Sequence, residues 1–349
     1  MSNAIIIRNR LNWIDWAKFI AIAFVVFGHI PQERGGFPVT YIIQFHMPLF
    51  FFVSGFLTKK EVFNSQILRK YTSTLIIPYL IYNIIFYPYW ITRHSIQCPD
   101  AGFFDYIRPI IGTLLLQQET AYSISLNGVT WFIAALLVMR LILSVSYRYK
   151  YGLYFIAFLG IADAIFYIYN DLHHIITDLP QIGFTKCLPF FFLGHLCKRK
   201  KIIKDDVTPR DLHICIAGIS LSLLAYYLQQ TNEYIYLYGI YFWIINITAI
   251  SGIFSMCKLL NRIHHAIIDN ISIGTIVIMG LHWMMIGITN YSLARLLHIQ
   301  GGIVYPWYVA LLLTALYMAI LYPLIVLFKN KYPFMLGKKT TRPAAQSGQ

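Results

Sequence analysis

The amino-acid sequence predicts an all-α, polytopic membrane protein with about ten transmembrane helices and both termini in the cytoplasm. Of its 349 residues, 58% are hydrophobic and only 12% are charged, and the mean hydropathy is +0.60. Apolar runs of roughly 15 to 25 residues recur along the chain, and helices of this length cross a bilayer. The runs lack the alternation of polar and apolar residues that is typical of transmembrane β-strands.

Ten candidate spans are delimited by the apolar runs and by the residues that break them. They cover about 13–30, 38–57, 71–92, 128–147, 152–169, 182–197, 211–229, 234–257, 271–292 and 303–328. Residues 1–336 are predicted to form a single transmembrane domain, and the polar segment 337–349 is predicted to be a disordered cytoplasmic tail.

The distribution of basic residues predicts the orientation. The formal net charge is +14, and of the 28 Lys and Arg residues 21 fall in segments on the same side as the N-terminus. Five fall in or near outer segments, and Lys18 and Arg140 lie within spans. This is the positive-inside pattern, which accounts for the charge through contact with the lipid bilayer and without a nucleic-acid partner.

The sequence predicts no metal site. The five cysteines are dispersed without a CxxC pair, and we interpret them as small apolar fillers. His173 and His174 stand between Asp171 and Asp178 in an outer loop, where a divalent metal is the alternative to solvation. These four side chains lack a fixed ligand spacing, so we favour solvation.

The first span carries three ionisable side chains on one face. It reads DWAKFIAIAFVVFGH from Asp15 to His29. On a helix, Lys18 and His29 point within about 20° of each other, and Asp15 lies about 40° from His29. Buried charges require partners or a water-filled cavity, so this stripe must face the protein interior. The alternative is a buried Asp/Lys pair that only locks helices together, with an unrelated His near the interface.

The second span, which contains FHMPLFFFVSGFL, places His46 in the same outer half of the membrane as His29. His46 is a candidate pocket residue, and the alternative is an interfacial His bonded to a backbone carbonyl. Ser54 and Gly55 are small, and they allow another helix backbone to approach closely near the inner end.

The segment before the third span contains the basic pair Arg69 and Lys70. Arg binds phosphate oxygens through two parallel hydrogen bonds, so this pair is a candidate for a phosphorylated ligand. The alternative is that both residues are ordinary positive-inside anchors.

The longest outer connection, residues 93–127, contains an apolar stretch broken by Pro109 and Gly112. We predict a re-entrant or interfacial piece, because the stretch is too short to span. It leads into NGVTWF, where Asn127 and Trp131 are candidate pocket residues. For Trp131, an aromatic anchor at the membrane surface is the alternative.

The ninth span, ISIGTIVIMGLHWMM, places His282 well inside the bilayer among apolar residues. A lone intramembrane His is a functional candidate. The alternative is a structural His that makes one hydrogen bond to a neighbouring helix.

These segments together resemble the acyltransferase-3 family of integral-membrane O-acyltransferases, in particular its sugar O-acetylases. The resemblance covers nearly the whole chain in family order. It depends on the spacing of Lys18 and His29, on FHMPLFFFVSGFL, and on the basic pair before IIPYL, and it continues in NGVTWF, CLPFFFLGH and IGTIVIMGLHW.

The resemblance implies an enzyme of the bacterial inner membrane that moves an acetyl group from cytoplasmic acetyl-CoA to a hydroxyl of a glycan or its lipid-linked precursor. His29 matches the essential His of the family, and Lys18 matches its basic partner. Arg69 matches one residue of a cytoplasmic basic motif whose second Arg has no match here.

The chemistry of the residues agrees with acyl transfer. His suits the removal of a hydroxyl proton, and basic inner segments suit a phosphorylated acyl carrier. Under this hypothesis the pantetheine arm follows the Lys18 stripe to His29, which acts as a base or is itself acetylated. Asp15 positions Lys18 or the entrance of the passage.

Two rival hypotheses come from other classes. Buried Asp, Lys and His also suit a proton-coupled secondary transporter, but inverted repeats are not apparent. A scaffold without chemistry of its own is the third hypothesis.

Overall fold

The computed structural model confirms the all-α fold. It describes residues 11–33, 36–117, 119–173, 182–231 and 238–338. It is 79% helical, and the described residues contain no β-strand. The predicted disordered tail, apart from its first two residues, and the loop that carries His174 and Asp178 lie outside the described residues.

Thirteen α-helices, α1 to α13, account for most of the described chain. In order they are Asn12–His29, Val39–Leu57, Ser65–Tyr71, Ile77–Gln97, Phe103–Leu114, Trp131–Ser146, Gly152–His173, Ile182–Arg199, Pro209–Thr231, Tyr238–Leu259, Ala266–Ile273, Thr275–Leu296 and Trp307–Lys331. A π-helical turn over Thr72–Ile76 joins α3 to α4, so these elements form one long helical segment.

Seven helical segments of the described chain are long and apolar enough to cross a membrane. They are Val39–Leu57, Ser65–Gln97, Gly128–Ser146, Pro209–Thr231, Tyr238–Arg262, Thr275–Leu296 and Trp307–Lys331. The other three predicted spans coincide with α1, α7 and α8, which are not among these seven. The multi-pass architecture is therefore supported, and the count of about ten is not confirmed.

Helix α1 lies at the centre of the bundle. It packs against α2, α10, α11, α12 and α13. Near its inner end the fully buried Trp13 ring meets Phe56 of α2 and Phe254 of α10 edge to face, with both pairs of ring centroids 5.5 Å apart. The residues of α1 consequently have neighbours around most of the helix circumference.

Helices α2 and α8 approach each other through glycine. A Cβ atom built on Gly55 would overlap the carbonyl oxygen of Phe191, and one built on Gly194 would overlap that of Phe52. Close backbone contact through small residues is typical of membrane helices. The predicted close approach at Gly55 is confirmed, and its partner is α8.

The outer connection before α6 is held by a buried polar network. Its short helix α5 has 12 residues, too few to span a bilayer. After α5, the side chain of Gln117 donates to Asn83 Oδ1 at 2.9 Å and to Tyr79 Oη at 3.1 Å. Its Oε1 accepts from Ser125 Oγ at 2.8 Å and from the backbone N–H of Leu126 at 2.9 Å. These bonds fix the chain at the residue before Asn127.

Candidate active site

The polar stripe of α1 faces α11 and α12. The buried Asp15 carboxylate accepts a hydrogen bond from the hydroxyl of Ser272, and Lys18 Nζ donates to the backbone carbonyl of the same residue. About three turns further along α1, His29 meets α12. The three ionisable groups therefore lie along one helix–helix interface, with Asp15 and Lys18 at its inner end and His29 at its outer end.

His29 is half-buried and has a defined tautomer. Its Nδ1 lies 2.7 Å from the carbonyl oxygen of Val25, one turn back on the same helix. A carbonyl oxygen only accepts, so in the neutral ring Nδ1 carries the proton and Nε2 carries the lone pair. An imidazole in this form is able to take a proton at Nε2.

Two further histidines, His46 and His282, lie near His29. The ring of the fully buried His282 lies edge to face with the His29 ring, at a centroid distance of 5.0 Å and an interplanar angle of 72°. His46 of α2 lies next to the chain at His29, since its Nε2 is 3.9 Å from the position that a Cβ atom on Gly28 would take. His282 Nδ1 contacts the carbonyl oxygen of Ile278 at 2.7 Å, and His46 Nδ1 contacts that of Ile43 at 2.9 Å.

The three rings consequently share one arrangement. In each neutral ring the contact at Nδ1 leaves the lone pair on Nε2. His282 Nε2 is buried and has no hydrogen-bond partner among the described residues. A buried acceptor without a partner is unusual, and a substrate hydroxyl that donates to it would satisfy it.

Asn127 and Trp131 have different surroundings. Asn127 is fully buried, and its Nδ2 donates to the carbonyl oxygen of Gly280 at 3.0 Å, two residues before His282. It thereby fixes the part of α12 that carries the histidine. Trp131 packs against Phe51 of α2, with ring centroids 5.7 Å apart, and it lines neither of the two cavities described below.

An outer cavity of about 900 Å³ opens beside His29. Its walls come from α4, from α12 and from the segment 299–304, and they include aromatic, small and basic side chains. The lining residues that bear on its chemistry are His29, Tyr89, Arg93, Trp283, Gly287, Tyr291, Arg295, Gly301 and Gly302.

An inner cavity of about 790 Å³ lies at the other end of α1. It is lined by five cationic side chains and one carboxylate, which is that of Asp15. The cations are Lys18, Lys59, Lys60, Lys198 and Arg199. Asp205 lies outside the lining and forms an ion pair with Lys198 at 3.2 Å. Because five cations face only these two carboxylates, the net charge around the cavity remains positive.

A chain of hydrogen bonds supports one wall of the inner cavity. Arg199 donates to Tyr147 Oη at 2.9 Å, Tyr147 Oη lies 2.5 Å from His195 Nε2, and His195 Nδ1 lies 3.0 Å from the carbonyl oxygen of Thr58. The Thr58 carbonyl only accepts, so Nδ1 carries the proton and the Tyr147 hydroxyl donates to Nε2. Sequence reasoning gave His195 no role, although it ends the CLPFFFLGH segment.

Arg69 and Lys70 lie away from the inner cavity. Both belong to α3, where Arg69 is exposed and Lys70 forms an ion pair with Glu61. The Tyr71 hydroxyl donates to the same carboxylate at 3.1 Å. The predicted contact of Arg69 and Lys70 with a phosphorylated ligand is not tested and stays a prediction. The sequence assigned the basic inner segments as a group to a phosphorylated carrier, but among the cations that line this cavity it singled out only Lys18.

The inner and outer cavities have no lining residue in common. Along the α1 stripe between Lys18 and His29, Ile22 and Val25 are completely buried. A molecule that reached His29 from the inner cavity would have to displace this packing.

The comparison with family models gives one match. A model described as an acyltransferase domain matches residues 11–335. No curated protein and no solved structure matches the chain.

Proposed function

Because the chain belongs to the acyltransferase-3 family, a family of membrane acyltransferases, we propose that it is an O-acetyltransferase of a bacterial inner membrane. The donor is cytoplasmic acetyl-CoA. The acceptor is a hydroxyl of a cell-surface glycan or of its lipid-linked precursor. The observation that carries the proposal is that one helix, α1, connects a basic inner cavity with a histidine cluster at an outer cavity.

The inner cavity binds the phosphates of the donor. Coenzyme A is a polyanion, and five cationic side chains with a single carboxylate give an attractive potential on the side where the positive-inside pattern places the cytoplasm. Lys18 lies deepest along the α1 stripe and contacts the donor where its pantetheine arm leaves the cavity. Asp15 positions Lys18, because both side chains bond to Ser272.

Arg69 and Lys70 extend the basic surface at the cytoplasmic face in this proposal. They attract the donor before it binds, since exposed charges steer anions over about 8 Å at physiological ionic strength. The bound donor itself is contacted by the residues that line the inner cavity.

His29 acts as the general base at the outer end. The acceptor oxygen attacks the thioester carbonyl carbon as its proton passes to His29 Nε2. The carbon–sulfur bond then breaks, and the coenzyme A thiolate receives the proton from the imidazolium. His282 does not line the outer cavity, and its Nε2 accepts a hydrogen bond from the acceptor once α1 and α12 have separated. Asn127 positions His282 through its bond to the carbonyl oxygen of Gly280, and His46 lies behind His29. Trp131 supports α2, which carries His46.

The pantetheine arm follows α1 between the two cavities. The rise from Lys18 to His29 is 11 residues, or roughly 16 Å. Ile22 and Val25 occupy this route, so donor binding must separate α1 from α11 and α12 by a small displacement. Polar atoms of Ser272 at the inner end give the arm hydrogen-bond partners where it enters.

The proposal is tested with the purified full-length chain in lipid nanodiscs. We expect labelled acetyl-CoA to bind, and glycans from cells that lack the chain to become acetylated. His29→Ala should lower the transfer rate by at least about a hundredfold and leave acetyl-CoA binding intact, because general base catalysis contributes this much. Lys150→Gln is the control, since Lys150 lies on the same inner face but does not line the cavity.

Three outcomes would contradict parts of the proposal. Absence of acetyl-CoA binding by the wild type would favour a transporter or a scaffold. Transfer by His29→Ala at the wild-type rate would remove this residue from the mechanism. A protein-bound acetyl group detected by mass spectrometry after incubation with donor alone would replace the base mechanism with an acyl relay.

A further inference from the structure

Two arginines occupy the outer cavity. Arg93 lies on α4 one turn beyond Tyr89, and Arg295 lies on α12 one turn beyond Tyr291. No Asp or Glu belongs to the described lining of this cavity, although the part of the chain that the structure describes has acidic residues elsewhere on the outer face. The cavity therefore combines a histidine at its floor with positive charge at its rim.

The arginine side chains lean toward the cavity floor. Both α4 and α12 run from the inner to the outer face, so their N-terminal ends lie inside. Helical side chains tilt toward the N-terminus of their helix, and the guanidinium groups consequently reach back from the rim. The Arg295 guanidinium lies 5.8 Å from the centroid of the Tyr291 ring, a contact that holds it along the α12 face.

Aromatic rings form the walls between the floor and the rim. The Trp283 ring stacks on Phe86 of α4, with centroids 5.9 Å apart and planes at 30°. The hydroxyl of Tyr89 lies against Gly287, where a Cβ atom would overlap it. Flat rings with a polar edge provide surfaces for the faces of sugar rings and donors for their hydroxyls.

The segment 299–304, which forms the third wall of the outer cavity, is attached to α12 by hydrogen bonds. Asn290 donates through Nδ2 to the carbonyl oxygen of Ile303 at 2.7 Å, and its Oδ1 accepts from the N–H of the same residue at 3.0 Å. These paired bonds fix the loop that contains Gly301 and Gly302, both of which have positive φ angles. The cavity is thus built before any acceptor binds.

We propose that the acceptor is an anionic glycan whose phosphate or carboxylate binds between Arg93 and Arg295 while a sugar hydroxyl reaches His29. This inference rests on the proposed transferase function and specifies its acceptor. Arginine binds both oxyanions through paired hydrogen bonds, and it keeps its charge at any relevant pH. The aromatic walls hold the sugar units between the anion and the reacting hydroxyl.

The geometry also sets a minimum length for the acceptor. Trp283, which lines the cavity next to His282, and Arg295 are 12 residues apart on α12, a rise of roughly 18 Å. Even with the guanidinium groups leaning inward, this distance exceeds one sugar ring. The acceptor is therefore at least a disaccharide, or a sugar whose phosphate lies on the side remote from the acetylated hydroxyl.

The first test compares glycans from cells that produce the wild-type chain with those from cells that produce His29→Ala. Extracts are separated by anion exchange, and acetyl esters are measured in the neutral and anionic fractions. We expect esters that depend on His29 in the anionic fraction. Esters confined to the neutral fraction would overturn the anionic acceptor and leave the transferase intact. Absence of such esters from both fractions would overturn the proposed function and this inference together.

The second test uses Arg93→Gln combined with Arg295→Gln. Loss of two charge-assisted contacts should raise the KM for the anionic acceptor by at least about tenfold, with acetyl-CoA binding unchanged. Arg108→Gln is the matched control, because this outer-face arginine lies 3.8 Å from Asp105 and does not line the cavity. An unchanged KM in the double variant would contradict the arginine site.

The source of the negative charge is identified from the acetylated fraction itself. Removal of phosphate with aqueous hydrofluoric acid abolishes retention on the anion exchanger if the group is a phosphate. Reduction of carboxyl groups abolishes it if the group is a carboxylate. Retention after both treatments would contradict binding of either oxyanion.

Discussion

The inner and outer cavities lie at opposite ends of the same helix and have similar volumes, about 790 and 900 Å³, but their linings differ. The inner lining concentrates five cations, four of them lysines, whereas the outer lining has two arginines among aromatic rings and glycines. Lysine is a flexible point charge, and a cluster of lysines attracts phosphates without demanding one geometry. The aromatic rings and fixed loop of the outer cavity instead favour a ligand of complementary shape. Under the proposed function, the lysine-rich end of α1 suits the charged donor, and the aromatic end suits the acceptor glycan.

The strongest test of this division between a donor end and an acceptor end of α1 is the removal of His282, which lies at the outer end. His282→Ala should lower kcat by about 10- to 100-fold, because a hydrogen bond to the reacting group is worth ~1.5–3 kcal/mol. The KM for acetyl-CoA should not change. His94→Ala is the control, since this outer-face histidine stacks on Trp90 with centroids 4.5 Å apart and lines neither cavity. A raised KM for acetyl-CoA in His282→Ala would show that the two ends are not separate.

The reverse experiment removes charge from the inner end. Lys59→Gln combined with Lys60→Gln should raise the KM for acetyl-CoA about tenfold and leave kcat near the wild-type value, because two charges that face the donor phosphates are lost. The effect should shrink in high salt, which screens the remaining charges. Arg69→Gln, measured in parallel, decides whether α3 contacts bound donor. An equal or larger rise in Arg69→Gln would favour the sequence-based assignment over the cavity.

The smallest expected effect comes from the hydrogen-bond chain that supports one wall of the inner cavity. Tyr147→Phe removes the hydroxyl that links Arg199 to His195, so the guanidinium loses one of its fixed partners. The KM for acetyl-CoA should rise several-fold, in keeping with the ~0.5–1.5 kcal/mol of a typical hydrogen bond. Acceptor KM is the internal control. A change in acceptor KM without a change in donor KM would be inconsistent with a role confined to the inner cavity.

The sequence was sufficient to predict which polar side chains of α1 share one face and that this face points into the protein, because both follow from helix periodicity and from the cost of burying charge. Lys18 and His29 share a stripe because of their spacing, and an intramembrane His282 needs a polar partner wherever it lies. The structure brings His282 and His46 to His29, and it brings Asp15 and Lys18 to Ser272. The helices that pack against these residues were not predictable, because periodicity gives the direction in which a side chain points but not the helix that lies there.

The inner cavity could not be predicted for a physical reason. Lys59, Lys60, Lys198 and Arg199 all lie at inner helix ends, where the positive-inside pattern gives every basic residue the same explanation. Only the close approach of α2 and α8 brings these two pairs together, and Gly55 alone does not identify which helix approaches it. The sequence also predicted spans at α1, α7 and α8, which are not among the seven segments of the described chain that are long and apolar enough to cross a membrane.

The glycine contact between α2 and α8 also determines which side of the molecule is able to yield. At Gly55 and Gly194 the backbones of α2 and α8 are in direct contact, so no side-chain rotation separates the two helices. We therefore expect α2 and α8 to move as one rigid unit. Helices α11 and α12, which also pack against α1, are separated at Gly274, two residues after the Ser272 that bonds to Asp15 and Lys18. If the pantetheine arm follows α1 as proposed, we expect the displacement at this break between α11 and α12, while α2 and α8 keep their relative position.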